Sequence, residues 1–373
     1  MTGVDRTFVA VESETGRVNG AGFHPCQGLW YTAAGGPAPT VGIITSHYNV
    51  DFSEHYLGPL LAARGFGFLG WNTRFRNNEG WFLLDQALVD LGAGVRWLRE
   101  VAGVETVVIL GNCGGGSLMA AYQSQATEPN VVASPGMVLP PGLAQLPAAD
   151  LYLSLQAHPG RPEVLTNWLD PSVTDESDPL SRRADLDMFD PAHGPPYDPD
   201  FVAAYRRAQV DRNDRITDWA LAELARLEAG GVFDRNFAVH RTWADLRFLD
   251  PTIDPSERRP GRCLGGKPAR ANAGPYGIAA TATLRTWLSM WSLRESQCRG
   301  TPHLGRIGVP ALVVQSTADV GVFPSDATAI FEALGSSDKE LVWTPGDHYL
   351  ENPPGAREAV AGLLTDWILA RTR

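Results

Sequence analysis

At 373 residues the chain has room for two domains, or for one large core carrying an inserted lobe. Its 31 Lys and Arg against 42 Asp and Glu give a formal net charge of −11, a surface that repels polyanions and argues against nucleic-acid partners and anionic membrane faces in favour of small or neutral ligands. The 44% hydrophobic content matches a packed globule, and the 39 Gly and 28 Pro stay below the level of a low-complexity chain.

The N-terminal stretch MTGVDRTFVAVESETG is acidic and polar where a signal peptide needs a basic start and an apolar core, so no export is expected. No run of about 18 apolar residues follows to span a membrane. Arg6 to Val11 and Val18 to Phe23 are expected as an opening pair of strands, Val41 to Thr45 as a buried strand, Tyr56 to Arg64 as a helix stopped by Gly65, and Phe66 to Trp71 as the next strand. Leu84 to Val101 carries helical periodicity. Thr106 to Leu110 is an apolar strand that runs into Gly111-Asn112-Cys113-Gly114-Gly115-Gly116 and then into helical spacing over Ser117 to Gln125. Short β-branched runs alternating with helical stretches predict an α/β fold with a mostly parallel central sheet flanked by helices.

From about Pro135 proline and charge become frequent, and clear strand runs are absent until Val309. This predicts a core of residues 1–145 and 300–373 with a largely helical cap inserted over 146–299. The expected contents of the insertion are a long helix over Asp200 to Leu227, a shorter one over Thr281 to Leu293, and a surface loop over Arg258 to Pro275. Its tryptophans, Trp168, Trp219, Trp243, Trp287 and Trp291, fit an apolar acyl pocket or the lobe's own core equally well. The core then resumes with a strand over Pro310 to Gln315, a helix over Ser325 to Leu334, a strand over Lys339 to Thr344 and a helix over Arg357 to Arg371.

Gly111-Asn112-Cys113-Gly114-Gly115 between a strand and a helix has the small-x-nucleophile-x-small form of a nucleophile elbow. The glycines two residues to either side let strand and helix approach, and the helix N-terminus favours a thiolate and a developing oxyanion. A phosphate loop is the rival reading, but neither GxGxxG nor the GxxxxGK[ST] lysine is present. A buried, inert cysteine is the other. The nucleophile needs a base and the base an orienting acid, in the chain order nucleophile, acid, His. Asp319, in the loop after the strand ending at Gln315, and His348, after the strand ending at Thr344, supply both just past the C-terminal ends of their strands. Asp347 is the rival acid, poorly placed as the immediate neighbour of His348. The oxyanion hole is expected from the N–H of Gly114 plus one from the loop Ser46-His47-Tyr48-Asn49, with Asn49 favoured over Tyr48 and His47 expected to pin that loop. Trp71 to Arg76 (WNTRFR) is a further pocket-lining segment, in which Arg74 serves equally as a structural donor.

Together the elbow ILGNCGGGSLMAAY, the acid loop QSTADVGV and the histidine loop PGDHYLENP resemble the α/β-hydrolase superfamily with an inserted cap, over residues 1 to 145 and 300 to 373. Most such hydrolases carry serine at the elbow. The resemblance allows cysteine there in dienelactone-hydrolase-like enzymes and in acyl-transferring or Dieckmann-cyclising members, or as an engineered replacement of serine. The expected activity is hydrolysis of an ester, thioester or lactone of a moderately hydrophobic small molecule through an acyl-enzyme on Cys113, with His348 as base and Asp319 orienting it. An acyltransferase or cyclase of secondary metabolism using the same acyl-thioenzyme is the alternative, and a non-catalytic binding protein on the same fold is the third reading. No metal or cofactor is called for, since neither HExxH nor clustered His/Cys spacing occurs. The partner is a small-molecule substrate, with no nucleic acid and no membrane. The four cysteines, too sparse for a disulfide scaffold, point to a reduced, cytoplasmic compartment.

Overall fold

The structure, a computed structural model, describes residues 3–15 and 23–372. Ten strands occur among them: β1 Val4–Val11, β2 Cys26–Ala33, β3 Val41–Thr45, β4 Gly67–Asn72, β5 Thr106–Cys113, β6 Leu151–Ala157, β7 Asn236–Ala238, β8 Thr281–Thr283, β9 Ala311–Ser316 and β10 Lys339–Thr344. Eight of them form one sheet in the order β1-β2-β4-β3-β5-β6-β9-β10, and β7 pairs with β8 in a separate ribbon. Pairing is antiparallel between β1 and β2 and between β2 and β4, and parallel from β4 to β10.

The inner parallel strands are mostly apolar because helices cover both faces. Alternation along them sorts the side chains. Ile44, Leu69, Val107, Ile109 and Val313 pack with the helices Leu84–Glu100, Gly115–Thr127 and Pro324–Ala333. Ile43, Phe68, Val108, Leu110, Leu312 and Val314 pack on the other face with the helices Gly58–Ala62 and Ala356–Leu369. The C-terminal ends of β3, β5, β6, β9 and β10 therefore open on one edge, where their following loops meet.

Three expectations are corrected. Leu151–Ala157 is a core strand, fully buried between β5 and β9, so the core runs to residue 157 and the insertion starts after it, instead of at 146. Ser154 and Gln156 interrupt its apolar run and a Pro-rich stretch precedes it, which hides a seven-residue strand from periodicity. The segment Thr281–Leu293 is no single helix: β8, a short α turn Leu284–Thr286 and a π-helical turn Trp287–Trp291 follow one another. Arg258 to Pro275 is more than a surface loop, since it contains the helix Pro268–Asn272 and buries Arg258 against the carbonyls of Arg247, Asp250 and Ile253. Of the expected strand Val18 to Phe23, residues 18–22 lie outside the described residues, and the partner of β1 is β2.

The long helix of the insertion spans Pro199–Ala229. The Asp198 side chain caps it by accepting the Asp200 N–H, Pro199 opens it, and Gly231, at φ 72°, lies just past its end. The insertion begins with the shorter helix Arg161–Trp168, four residues after β6, which brings its N-terminus to the same edge as the end of β5.

Candidate active site

β5 carries Cys113 to its last position, and the next helix starts at Gly115. The turn holds Cys113 at φ 53°, a left-handed conformation that non-glycine side chains rarely adopt. The crowding around it explains the glycines. A Cβ on Gly111 would lie 2.6 Å from the Gly116 Cα, so strand and helix touch there; one on Gly115 would lie 2.2 Å from the Ser46 carbonyl oxygen, so the helix also meets the loop after β3. Asn112, between them, is buried, donates to the Leu155 carbonyl at 2.8 Å and accepts from His55 Nε2 at 3.1 Å. The Cys113 carbonyl accepts the His158 N–H at 3.0 Å, which ties the elbow to the end of β6.

Asp319 and His348 meet across β9 and β10. His348 Nδ1 lies 2.8 Å from Asp319 Oδ2, and both side chains are buried. The other oxygen of Asp319 accepts the N–H groups of Gly321 at 2.8 Å and Val322 at 3.0 Å. The two loops are joined by backbone bonds from Thr317 to Thr344 and from Ala318 to Gly346. Asp347 is turned into its own loop, accepting from the Glu351 N–H and the Asn352 side chain.

With Nδ1 engaged by Asp319, His348 also interacts with the Cys113 thiol, through charge and a side-chain hydrogen bond. Burial alone would raise the thiol's pKa, but His348 and hydrogen bonds from His158, His348 and His47 outweigh it and hold the thiol well below its ordinary value. Burial likewise opposes charge on His348, yet Asp319 and Cys113 raise its pKa well above the usual imidazole range. Both shifts work toward a thiolate beside an imidazolium.

Sequence reasoning missed His158, Arg161 and Glu79. His158 and Arg161 follow β6, so recognising that strand would have put them at the C-terminal edge beside the elbow. The Arg161 guanidinium is buried, pairs with Glu79 at 3.2 Å, and stacks over the rings of Tyr48 and Trp291. Glu79 also accepts the Ala279 N–H at 2.7 Å.

The loop after β3 departs from expectation. The Asn49 N–H points at His47 Nδ1 at 3.3 Å, so that amide already has an acceptor, and Tyr48 is buried with its hydroxyl 3.0 Å from Ser117 Oγ. Gly114, next to the nucleophile, stands at the helix start, where amides lack intrahelical acceptors. Arg74 is bound to Asp90 through Nε at 2.8 Å and Nη2 at 2.7 Å in a buried pair, and takes the structural role. Of the tryptophans, Trp287 donates to Thr217 inside the lobe, Trp168 stacks on Trp243, and Trp291 faces Arg161.

No family model and no curated protein sequence matches the chain. Solved structures do. The structure of DcsB in complex with its substrate analogue aligns over 98% of this chain and 99% of that one, with a TM-score of 0.52 at 13% identity. The α/β hydrolase GrgF from Penicillium sp. sh18 aligns over 98% and 96%, with a TM-score of 0.49 at 12% identity. The esterase domain of a Rhodothermus marinus protein aligns over 97% of both chains, with a TM-score of 0.47 at 12% identity. Of these, the likeness to DcsB speaks to architecture alone, and it agrees with the strand order, the helices on both faces and the turn after β5: the chain has the α/β-hydrolase fold.

Proposed function

We propose that the protein is an acyl hydrolase that cleaves an ester, thioester or lactone of a moderately hydrophobic small molecule through an acyl-enzyme on Cys113. The observation that carries this reading is the chain of contacts from the strained Cys113 through His348 to Asp319. The thiolate attacks the acyl carbon, His348 gives its proton to the departing group, and the neutral imidazole then takes a proton from the water that releases the acid. Asp319, fixed by two backbone N–H groups, holds the imidazole with Nδ1–H toward itself.

A second reading keeps the acyl-thioenzyme and passes the acyl group to an acceptor other than water. The thiol at a position expected to hold serine favours it, together with the Arg161 and Glu79 roof that the insertion and the segment before the helix Leu84–Glu100 build over Gly114. Intact-protein mass spectrometry after mixing with activated acyl esters and thioesters tests the common step: a single acyl adduct, absent from Cys113→Ala, is expected. Turnover in ¹⁸O-water separates the two readings, since hydrolysis labels the released acid and transfer does not. A parent chain that takes up no acyl group from any probe would overturn both.

A further inference from the structure

Beside Gly114 two side chains occupy the space that a Cβ would need. A Cβ built there would lie 2.6 Å from His47 Nε2 and 2.9 Å from Arg161 Nη1. Both side chains are almost wholly buried, at 6% and 3% exposure. Each is held from behind. His47 Nδ1 accepts the N–H groups of Asn49 at 3.3 Å and Val50 at 3.2 Å, and a nitrogen that accepts carries no proton, so in the neutral ring the hydrogen sits on Nε2 and points to the elbow. Arg161 is fixed by Glu79 and by the rings of Tyr48 and Trp291, while its Nε is buried without a hydrogen-bond partner among the described residues.

Resting on the acyl-enzyme reading, we infer that His47 Nε2–H and Arg161 Nη1–H form, with the Gly114 N–H, a largely side-chain oxyanion site, in which they replace the second backbone donor expected from Asn49. As the Cys113 sulfur bonds to the acyl carbon it gives up its negative charge and with it the hydrogen bond from His47, the carbonyl π pair moves onto oxygen, and the three donors hold that charge without giving up a proton. When the pair returns, the bond to the departing group breaks and His348 protonates that group. Burial and the neighbouring Arg161 and His158 favour the neutral His47 ring over Cys113's opposing pull, which suits a donor that never acts as an acid. Glu79 keeps Arg161 in place and offsets the cost of burying its charge. The glycine at 114 follows: any side chain there would displace both donors.

The test compares two reactions of the same sulfur. Acylation by p-nitrophenyl acetate passes through an oxyanion, whereas alkylation by iodoacetamide does not. Both are followed in single turnover at about pH 9, where even an ordinary thiol is largely ionised. His47→Phe, and Arg161→Gln combined with Glu79→Gln so that no carboxylate is left buried alone, are each expected to slow acylation roughly 10²-fold while alkylation stays near the parent rate. His47→Gln, which keeps an N–H donor, is expected to recover part of the loss. Equal losses in both reactions would show that the residues merely hold Cys113, and unchanged acylation would show that they do nothing; either overturns the inference while the acyl-enzyme reading stands. A parent chain that is alkylated but never acylated would overturn that reading and this one with it.

Discussion

Cys113 differs from the other three cysteines in what surrounds its sulfur. Cys26, Cys263 and Cys298 are buried, and burial raises the pKa of all three, to about 11 for Cys263 and about 12 for Cys298. Cys113 is only half-buried and faces imidazoles. Iodoacetamide at neutral pH should therefore modify the native protein once, at Cys113, as peptide mapping would show. The rate should stay nearly flat down to pH 6, where an unperturbed thiol with a pKa of about 8.5 has lost most of its thiolate. His348→Ala should restore the ordinary dependence, and a profile that tracks a free thiol in the parent would contradict the thiolate–imidazolium pair. Catalytic weight should follow the same contacts. His348→Ala should lower acylation by roughly 10³-fold or more. Asp319→Asn, which leaves the ring in place but disturbs its tautomer, should cost on the order of 10²- to 10⁴-fold.

The element on which the proposed chemistry depends is the turn between β5 and the helix Gly115–Thr127, and its glycines differ in what they avoid. Gly111→Ala would press a methyl group into the Gly116 backbone, and Gly115→Ala would press one into the Ser46 carbonyl. Neither neighbour is a flexible side chain. Each substitution should destabilise by about 1–3 kcal/mol, seen as a lower urea midpoint at unchanged slope, with loss of alkylation selectivity at Cys113. This turn was legible in the sequence because its pattern is local: an apolar strand, glycines at fixed offsets, then helical spacing. That Asp319 and His348 lie at the same edge was legible because each follows a strand by a few residues. The His47 and Arg161 pair was not, because its meaning depends on two residues 114 positions apart both reaching Gly114, and on β6, whose buried Ser154 and Gln156 disguise it. Gln156 bonds to Ser316 at the end of β9, so the polar residues that obscure the strand also fasten it to its neighbour. The texture changes from about Pro135, and the aromatic residues beyond it are told apart only once Arg161 is seen against Trp291.

At the scale of the whole molecule, the sheet brings loops from β3, β5, β6, β9 and β10 to one edge, and the site inherits its rigidity from the core beneath. His55 links the two. It is buried, its Nδ1 accepts the Leu57 N–H at 3.3 Å, and its Nε2 donates to Asn112 in the elbow. Burial pushes its pKa down to about 4, against the smaller opposing effect of the bond to Asn112. The folded state therefore holds His55 neutral while the unfolded chain protonates it below about pH 6.5. Above pH 6.5 neither state binds the proton and stability does not depend on it. As pH falls from 6.5 to 4 the unfolded state gains the proton alone and stability is lost, by at most roughly 3 kcal/mol from this group. Cys113, with its pKa lowered on folding, acts in the same direction as pH falls, whereas His348, with its pKa raised on folding, is protonated in both states below pH 6.5 and adds no slope there. Urea unfolding at a series of pH values should show the loss. His55→Gln keeps a donor for Asn112 but cannot titrate, so it should flatten the part of the slope that His55 supplies; a slope identical to the parent's would mean that His55 stays neutral in the unfolded chain or charged in the fold, and that the link between the core and the elbow does not run through it.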